Sequence, residues 1–193
     1  MEREGLLRAF VAIDLEDPAL ARALRAVKDA LLATGAQIKP VEDENMHITL
    51  RFLGEVPRKL VDLLCEKLRS AGGRYKPFEV EVVGIGTFPD SRRPRVVWAG
   101  IGRGSRELAE LQAFVESVVT SLGLPREREE FVPHITLARV KGSANIDKLV
   151  REIARNSNQF FGRFVADRIK VKKSVLTPSG PIYSDVCVLE LGK

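Results

Sequence analysis

Residues 8–15 form an apolar run broken only by Arg8 and Asp14, the pattern of a strand with both faces largely covered. Asp17 then offers a side-chain oxygen to open a helix, and Pro18 suits its first position. Leu20, Leu24, Val27 and Leu31 recur at helical spacing until Gly35 stops them. A histidine-bearing strand follows from His47. Val61, Leu64, Cys65 and Leu68 then restore a helical stripe, and residues 78–83 read as a strand again.

The same order returns. Val96-Val97-Trp98-Ala99 reads as a strand, and Ser105 is placed to cap a helix whose apolar face is Leu108, Leu111, Val115, Val118 and Leu122, ending at Gly123. A second histidine-bearing strand precedes a short helix at Ile146, Leu149, Val150 and Ile153. Residues 165–176 and 183–191 read as two strands joined by the loop Thr177-Pro178-Ser179-Gly180-Pro181. Each half is thus strand, helix, His-bearing strand, helix, strand.

Sequence identity reinforces the repeat, because His-Ile-Thr-Leu occurs at 47–50 and again at 134–137, an offset of 87 residues (134 − 47). At that offset Phe10-Val11-Ala12 falls on Val97-Trp98-Ala99, and 78–83 falls on 165–170. No linker or low-complexity tract separates the halves. The expectation is one bilobal domain over 1–193, with similar halves at about 1–90 and 91–193.

Composition adds a mild bias. Lysine and arginine outnumber aspartate and glutamate 31 to 26, and the net charge of +5 attracts polyanions without demanding them. Clustering sharpens this, with Arg92, Arg93 and Arg95 in one turn and Lys170, Lys172 and Lys173 in one segment. No apolar stretch has the length of a membrane span, and the run near the start carries Arg8 and Asp14, so it fits neither a span nor a secretion signal; a cytoplasmic protein is expected. Cys65 and Cys187 lie far apart among apolar residues, which favours reduced packing thiols.

The chain has only two histidines, and both stand in the repeated tetrapeptide. Along a strand, residues two apart share a face, so His47 with Thr49 and His134 with Thr136 project one way while Ile48, Leu50, Ile135 and Leu137 point into the core. If the halves pack about a pseudo-twofold axis, the two His-Thr pairs face one cleft. There one imidazole can take a proton from water while the other gives one to a departing ribose oxygen, and the threonine hydroxyls can donate to phosphoryl oxygens. One imidazole per half leaves a metal shell mostly empty, and this chemistry calls for no metal or cofactor.

The paired H-x-T-x motifs resemble those of the two-histidine phosphoesterases, and specifically the bacterial and archaeal RNA 2′,3′-cyclic phosphodiesterases, also called LigT or 2′-5′ RNA ligases. The likeness covers nearly the whole chain: Arg8 to Ile13 resembles the opening strand, His47 to Gly54 the first motif, Pro133 to Arg139 the second, and Leu176 to Tyr183 the closing signature. It implies an α+β fold, bilobal and pseudo-symmetric, with antiparallel sheets lining a central basic cleft and helices outside. It further implies hydrolysis of RNA 2′,3′-cyclic phosphate ends, tRNA fragments among them, to 2′-phosphomonoesters by a monomer, with His47 as proton donor and His134 as acceptor. Arg139 is implied as a phosphate ligand, although a regular strand would point it away from His134, so a bulge or strand end is needed there. Phe52 stands at the equivalent place and reads as a base-stacking residue or, more simply, as core; Arg92 and Arg93 read as further substrate contacts. Two other readings stay open: an esterase or ligase of 2′-5′ linkages with the same site, and a non-catalytic RNA-binding module using Arg92, Arg93, Arg95 and the 170–173 lysines.

Overall fold

A computed structural model describes residues 5–192. Among them the elements run β1 (Leu6–Asp14), α1 (Pro18–Ala33), β2 (Ile38–Pro40), a 3₁₀ turn (Asp43–Asn45), β3 (His47–Pro57), α2 (Arg58–Gly72) and β4 (Phe78–Phe88), then β5 (Val96–Ile101), α3 (Ser105–Ser121), β6 (His134–Val140), α4 (Ile146–Arg155), β7 (Phe160–Ala166), β8 (Arg168–Thr177) and β9 (Gly180–Glu190). The strands form one antiparallel sheet in the order β7-β4-β5-β6-β3-β1-β8-β9, with β2 paired to β6. The two histidine-bearing strands meet at its centre, where Ile48 pairs with Ile135. The sheets of the two lobes are therefore continuous through this one contact.

The repeats are interleaved rather than side by side. β4, from the first, pairs with β5 and β7, while β8, from the second, pairs with β1 and β9. Helices cross over too: α2 and α3 cover β3 and its neighbours, and α1 and α4 cover β6, β4 and β7. Strand alternation and helix stripes turn the same residues inward, so Val11 and Ile13 of β1, Leu24 and Leu31 of α1 and Leu108 and Val115 of α3 share one core. Each such buried side chain contributes roughly 1.5–3 kcal/mol relative to exposure.

Local signals hold at α1, where the Asp17 carboxylate accepts from the Leu20 amide at 2.7 Å and Gly35 adopts φ +73° just beyond the C-terminus. Several expectations change. Gly104, at φ +91°, precedes α3, and Ser105 is its first helical residue, with the hydroxyl donating back to the carbonyls of Ile101 and Gly102. The inward face of α3 uses Val119, with Val118 only partly buried. Val165 belongs to β7, separated from β8 by a turn at Asp167, because both strands share the apolar spacing that had read as one element. Read from the histidine strands, Ala12 lies opposite Thr49 and Trp98 opposite Thr136, so the repeats align here one residue away from the 87-residue offset.

The two cysteines are bonded. Cys65 on α2 and Cys187 on β9 form a disulfide with Cα atoms 6.3 Å apart, which corrects the expectation of reduced thiols. Their separation of 122 residues hid a proximity that only the docking of α2 onto the edge strand creates. Among the described residues no helix is long and apolar enough to cross a membrane.

Candidate active site

Matching bulges shape the centre of the sheet. Opposite β1, the register passes from Thr49 to Arg51 across successive β1 residues, leaving Leu50 extra; opposite β5 it passes from Thr136 to Ala138, leaving Leu137 extra. Leu50 and Leu137 are buried, and beyond them the alternation flips. Phe52 thereby joins the face of His47 and Thr49, and Arg139 joins the face of His134 and Thr136. Phe52 is 56% exposed, so the core role considered for it does not hold.

The antiparallel contact at Ile48 and Ile135 sets His47 beside Thr136 and Thr49 beside His134 on one face. The histidines are diagonal neighbours across the ladder, a relation that ordinarily separates residues by about 7–8 Å. Each imidazole is anchored alike: His47 Nδ1 lies 2.7 Å from the Asn45 carbonyl and His134 Nδ1 2.7 Å from the Val132 carbonyl. A carbonyl accepts only, so Nδ1 carries the proton and Nε2 is left for chemistry. His47 Nε2 lies 3.0 Å from the Thr49 hydroxyl.

These anchors have their own supports. Lys28, buried on α1, donates to the Val41 carbonyl at 2.6 Å and to Asp43 at 2.5 Å, and Arg25 pairs with the same carboxylate, fixing the 3₁₀ turn that presents Asn45. Arg51 is buried on the other side of β3. It donates to Glu116 of α3 at 2.6 Å and to the Pro125 carbonyl at 2.5 Å, while Glu116 accepts from the Glu127 amide at 2.8 Å. The segment leading to Val132 is thus tied to β3.

Aromatic rings wall both histidines. Phe10 lies 5.0 Å and Tyr183 5.6 Å from His47; Phe88 lies 4.9 Å and Trp98 6.2 Å from His134, measured between ring centroids. Gly86 is required beneath Trp98, because a Cβ there would sit 2.3 Å from the indole. Burial among these rings lowers the pKa of both histidines from the usual 6.5. For His47 the Asn45 carbonyl and the Asp14 carboxylate oppose that effect, and Lys172 and His134 add to it.

The lysine strip is corrected. Lys170 and Lys172 point toward neighbouring carboxylates, not into solvent. Lys172 binds Asp14 at 2.6 Å and Asp185 at 2.9 Å, and Lys170 binds Asp14 at 3.0 Å and Glu16 at 2.5 Å. Both are buried, because their strand lies inside the sheet beside β1. Arg92 and Arg93 sit exposed on the loop after Phe88, their amides held by Asp90. Arg139 is exposed and pairs in register with Lys39, whose amine holds the Ser179 carbonyl at 3.0 Å; Asn45 likewise donates to Pro181 at 3.2 Å. The β8–β9 hairpin tip is so drawn across to the histidine side.

Sequence reasoning had not singled out Asp14 or Tyr183 for the site, and had read Lys172 only as part of a basic strip for RNA. Asp14 and Tyr183 each lay at the margin of a quoted segment, but their placement depends on strand neighbours that spacing does not reveal. Among the described residues no group of three His, Cys, Asp or Glu side chains comes together as metal ligands.

The family model described as LigT like Phosphoesterase matches residues 13–98 and 101–183. The chain is similar to the RNA 2′,3′-cyclic phosphodiesterase of Aeropyrum pernix, 43% identical over 160 residues that span 83% of this chain and 90% of that protein. It is also similar to the like-named protein of Methanothermobacter thermautotrophicus, 38% identical over 96% of this chain and 99% of that one. A crystal structure from Thermus thermophilus superposes with a TM-score of 0.76 at 28% identity, covering 97% of this chain and 100% of that chain. Escherichia coli LigT complexed with 3′-AMP, at 24% identity and a TM-score of 0.74, shares the fold over 97% of this chain and 99% of that one.

Proposed function

This chain belongs to the LigT-like phosphoesterases, and from that footing we propose that it is an RNA 2′,3′-cyclic phosphodiesterase that opens terminal cyclic phosphates to 2′-phosphomonoesters. The observation that carries the reading is the duplicated anchoring of two imidazoles, each with Nδ1 on a backbone carbonyl, which leaves both Nε2 atoms on a shared face with Thr49 and Thr136.

In the proposed mechanism the cyclic phosphate lies over the quartet of His47, Thr49, His134 and Thr136. His134 Nε2 takes a proton from water as its oxygen bonds to phosphorus; the bond to the 3′ oxygen breaks, and protonated His47 Nε2 delivers a proton to that oxygen. Thr49 and Thr136 donate to the non-bridging oxygens, which gain charge in the transition state. The aromatic walls exclude water from the ring faces, and Arg139, Arg92 and Arg93 contribute positive charge at the rim.

RNA ends, including tRNA fragments, are the proposed substrates, and the chain acts as a monomer in the cytoplasm. The buried Cys65–Cys187 bond is compatible with that location, since sulfurs in residues 4% and 7% exposed are shielded from reductant. A purely RNA-binding role is disfavoured by the pairing of Lys170 and Lys172 with carboxylates.

Product analysis on an oligonucleotide with a 2′,3′-cyclic end tests the reading. The expected product carries phosphate on the 2′ oxygen. Exclusive 3′-phosphate, or faster turnover of 2′-5′ dinucleotides than of cyclic ends, overturns it.

A further inference from the structure

The β8–β9 hairpin reaches past its last rung on β1. The ladder between β1 and β8 ends at the Ala9–Lys173 pair, yet β8 and β9 stay paired to each other from Ser174 and Tyr183 out to Thr177 and Gly180. At the tip the Thr177 hydroxyl donates to the Gly180 carbonyl at 2.6 Å, so this distal part is braced within itself. Leu176 and Ile182 on it are exposed. Among the described residues, two hydrogen bonds tie residues 175–183 to the remainder of the chain: Lys39 donates to the Ser179 carbonyl and Asn45 to the Pro181 carbonyl. Both donors stand on the segment that leads into β3 and His47.

Asn45 holds two things at once. Its carbonyl accepts from His47 Nδ1 at 2.7 Å, and its side-chain amide holds the hairpin at 3.2 Å. The hairpin returns to the histidine through Tyr183, whose ring is edge-on to His47 at 5.6 Å and to Phe10 at 4.9 Å. His47 is thus enclosed by a circuit of contacts that runs from Asn45 to Pro181, along β9 to Tyr183 and back to the ring. His134 has no such circuit, since the residue whose carbonyl anchors it is Val132, which has no side-chain donor and is exposed.

Attacking and departing oxygens lie in line on opposite sides of phosphorus. With His134 on the attacking water, the departing 3′ oxygen and its ribose therefore fall on the His47 side, where Tyr183 and the hairpin stand. Resting on the phosphodiesterase reading, we propose that Asn45 is a positioning residue and the distal hairpin a strap over the proton donor. With the Lys39 and Asn45 bonds made, the strap keeps Tyr183 against His47 and encloses the ribose; with both broken, it lets the RNA end enter and the product leave. Each fastening is a single hydrogen bond, weak enough in net terms to break and re-form during turnover.

Because the chain has only two histidines, each ring can be followed separately by NMR. Lys39 bonds to the hairpin and not to His47, so an effect of Lys39→Met on that ring has to travel through the strap. In Lys39→Met and in Asn45→Ala, at a pH where both rings are neutral, the His47 Nδ1 proton is expected to exchange faster with solvent and the nuclear Overhauser effect between His47 and Tyr183 to weaken, while the His134 signals stay in place. Lys39→Arg should restore the parent spectrum. On an oligonucleotide with a 2′,3′-cyclic end, kcat/KM should fall about 2- to 10-fold in Lys39→Met and in Asn45→Ala, the size of one lost hydrogen bond. A folded Lys39→Met variant whose His47 signals match the parent's overturns the strap, as does one in which both histidines change alike. A parent that opens no cyclic phosphate, in a folded sample with the His47 signals so coupled to Lys39, instead removes the phosphodiesterase reading and the strap's part in turnover with it.

Discussion

Asp14 lies directly across the β1–β3 ladder from His47, and Gly100 occupies the matching place opposite His134. The two imidazoles are therefore alike in their anchors and unlike in their neighbours. A carboxylate favours the charged imidazole, so His47 holds a proton more readily than its burial alone would allow, while His134 has burial opposed only by its bond to Val132. The carboxylate beside His47 is the ground on which it is proposed as donor and His134 as acceptor.

Because burial lowers both histidines below 6.5, the free-enzyme profile of kcat/KM should be bell-shaped with its maximum on the acid side of that value. The acid limb belongs to the base gaining a proton and the alkaline limb to the acid losing one. Asp14→Asn removes the carboxylate and leaves Lys170 and Lys172 less neutralised, so both effects disfavour charged His47. The alkaline limb should move to lower pH with the acid limb little changed. An alkaline limb that moves upward, or stays in place in the folded variant, contradicts the assignment.

Replacing His47 or His134 by alanine should each lower kcat by at least about 10²-fold. Neither ring is needed for folding, since both are held by backbone carbonyls at the edge of the core, and circular dichroism should show native spectra. Activity should persist in chelator, because protons and hydroxyls supply the proposed chemistry. Full turnover in either folded variant, or abolition by chelator with recovery on adding a divalent metal, refutes the scheme.

The legible parts of this site share a property: they are periodic. His47, Thr49, His134 and Thr136 could be placed on one face because alternation is local, and the α1 stripe from Leu20 to Leu31 was visible for the same reason. The bulges at Leu50 and Leu137 were not visible, since an extra residue in a ladder shows only against its partner. Arg139 was expected to need one, and it is supplied by Leu137. Strand exchange was hidden likewise, because nothing in the apolar pattern of β4 or β8 names the strand beside it. That exchange explains why Lys170 and Lys172 read as a surface strip yet meet Asp14, more than 150 residues away, inside the sheet.

The Cys65–Cys187 bond closes a loop of 122 residues and ties α2 to an edge strand. By the chain-entropy account, such a long loop stabilises the fold by up to about 5 kcal/mol through the unfolded state. The Cys65→Ala, Cys187→Ala double variant should unfold at distinctly lower denaturant concentration than the oxidised parent, while kcat changes little because the bond lies away from both histidines. An unchanged midpoint would mean that the cross-link contributes no net stability.

Arg51 and Glu116 pose a sharper test, since each is at most 10% exposed in its side chain and they meet at 2.6 Å. Removing one partner leaves the other charge buried, at a cost of about 3–5 kcal/mol, whereas replacing both by apolar groups of similar volume is often close to neutral. Glu116→Ala should therefore destabilise more than the double change Arg51→Met, Glu116→Leu. Activity should respond differently. Both variants lose the Glu116 bond that holds the Glu127 amide to α3, and the double variant also loses the Arg51 bond to the Pro125 carbonyl, so the segment that presents the Val132 carbonyl to His134 is loosened in each. The double variant is then expected to recover stability without recovering kcat. Recovery of both together would make the buried pair a matter of folding alone, with no part in orienting His134.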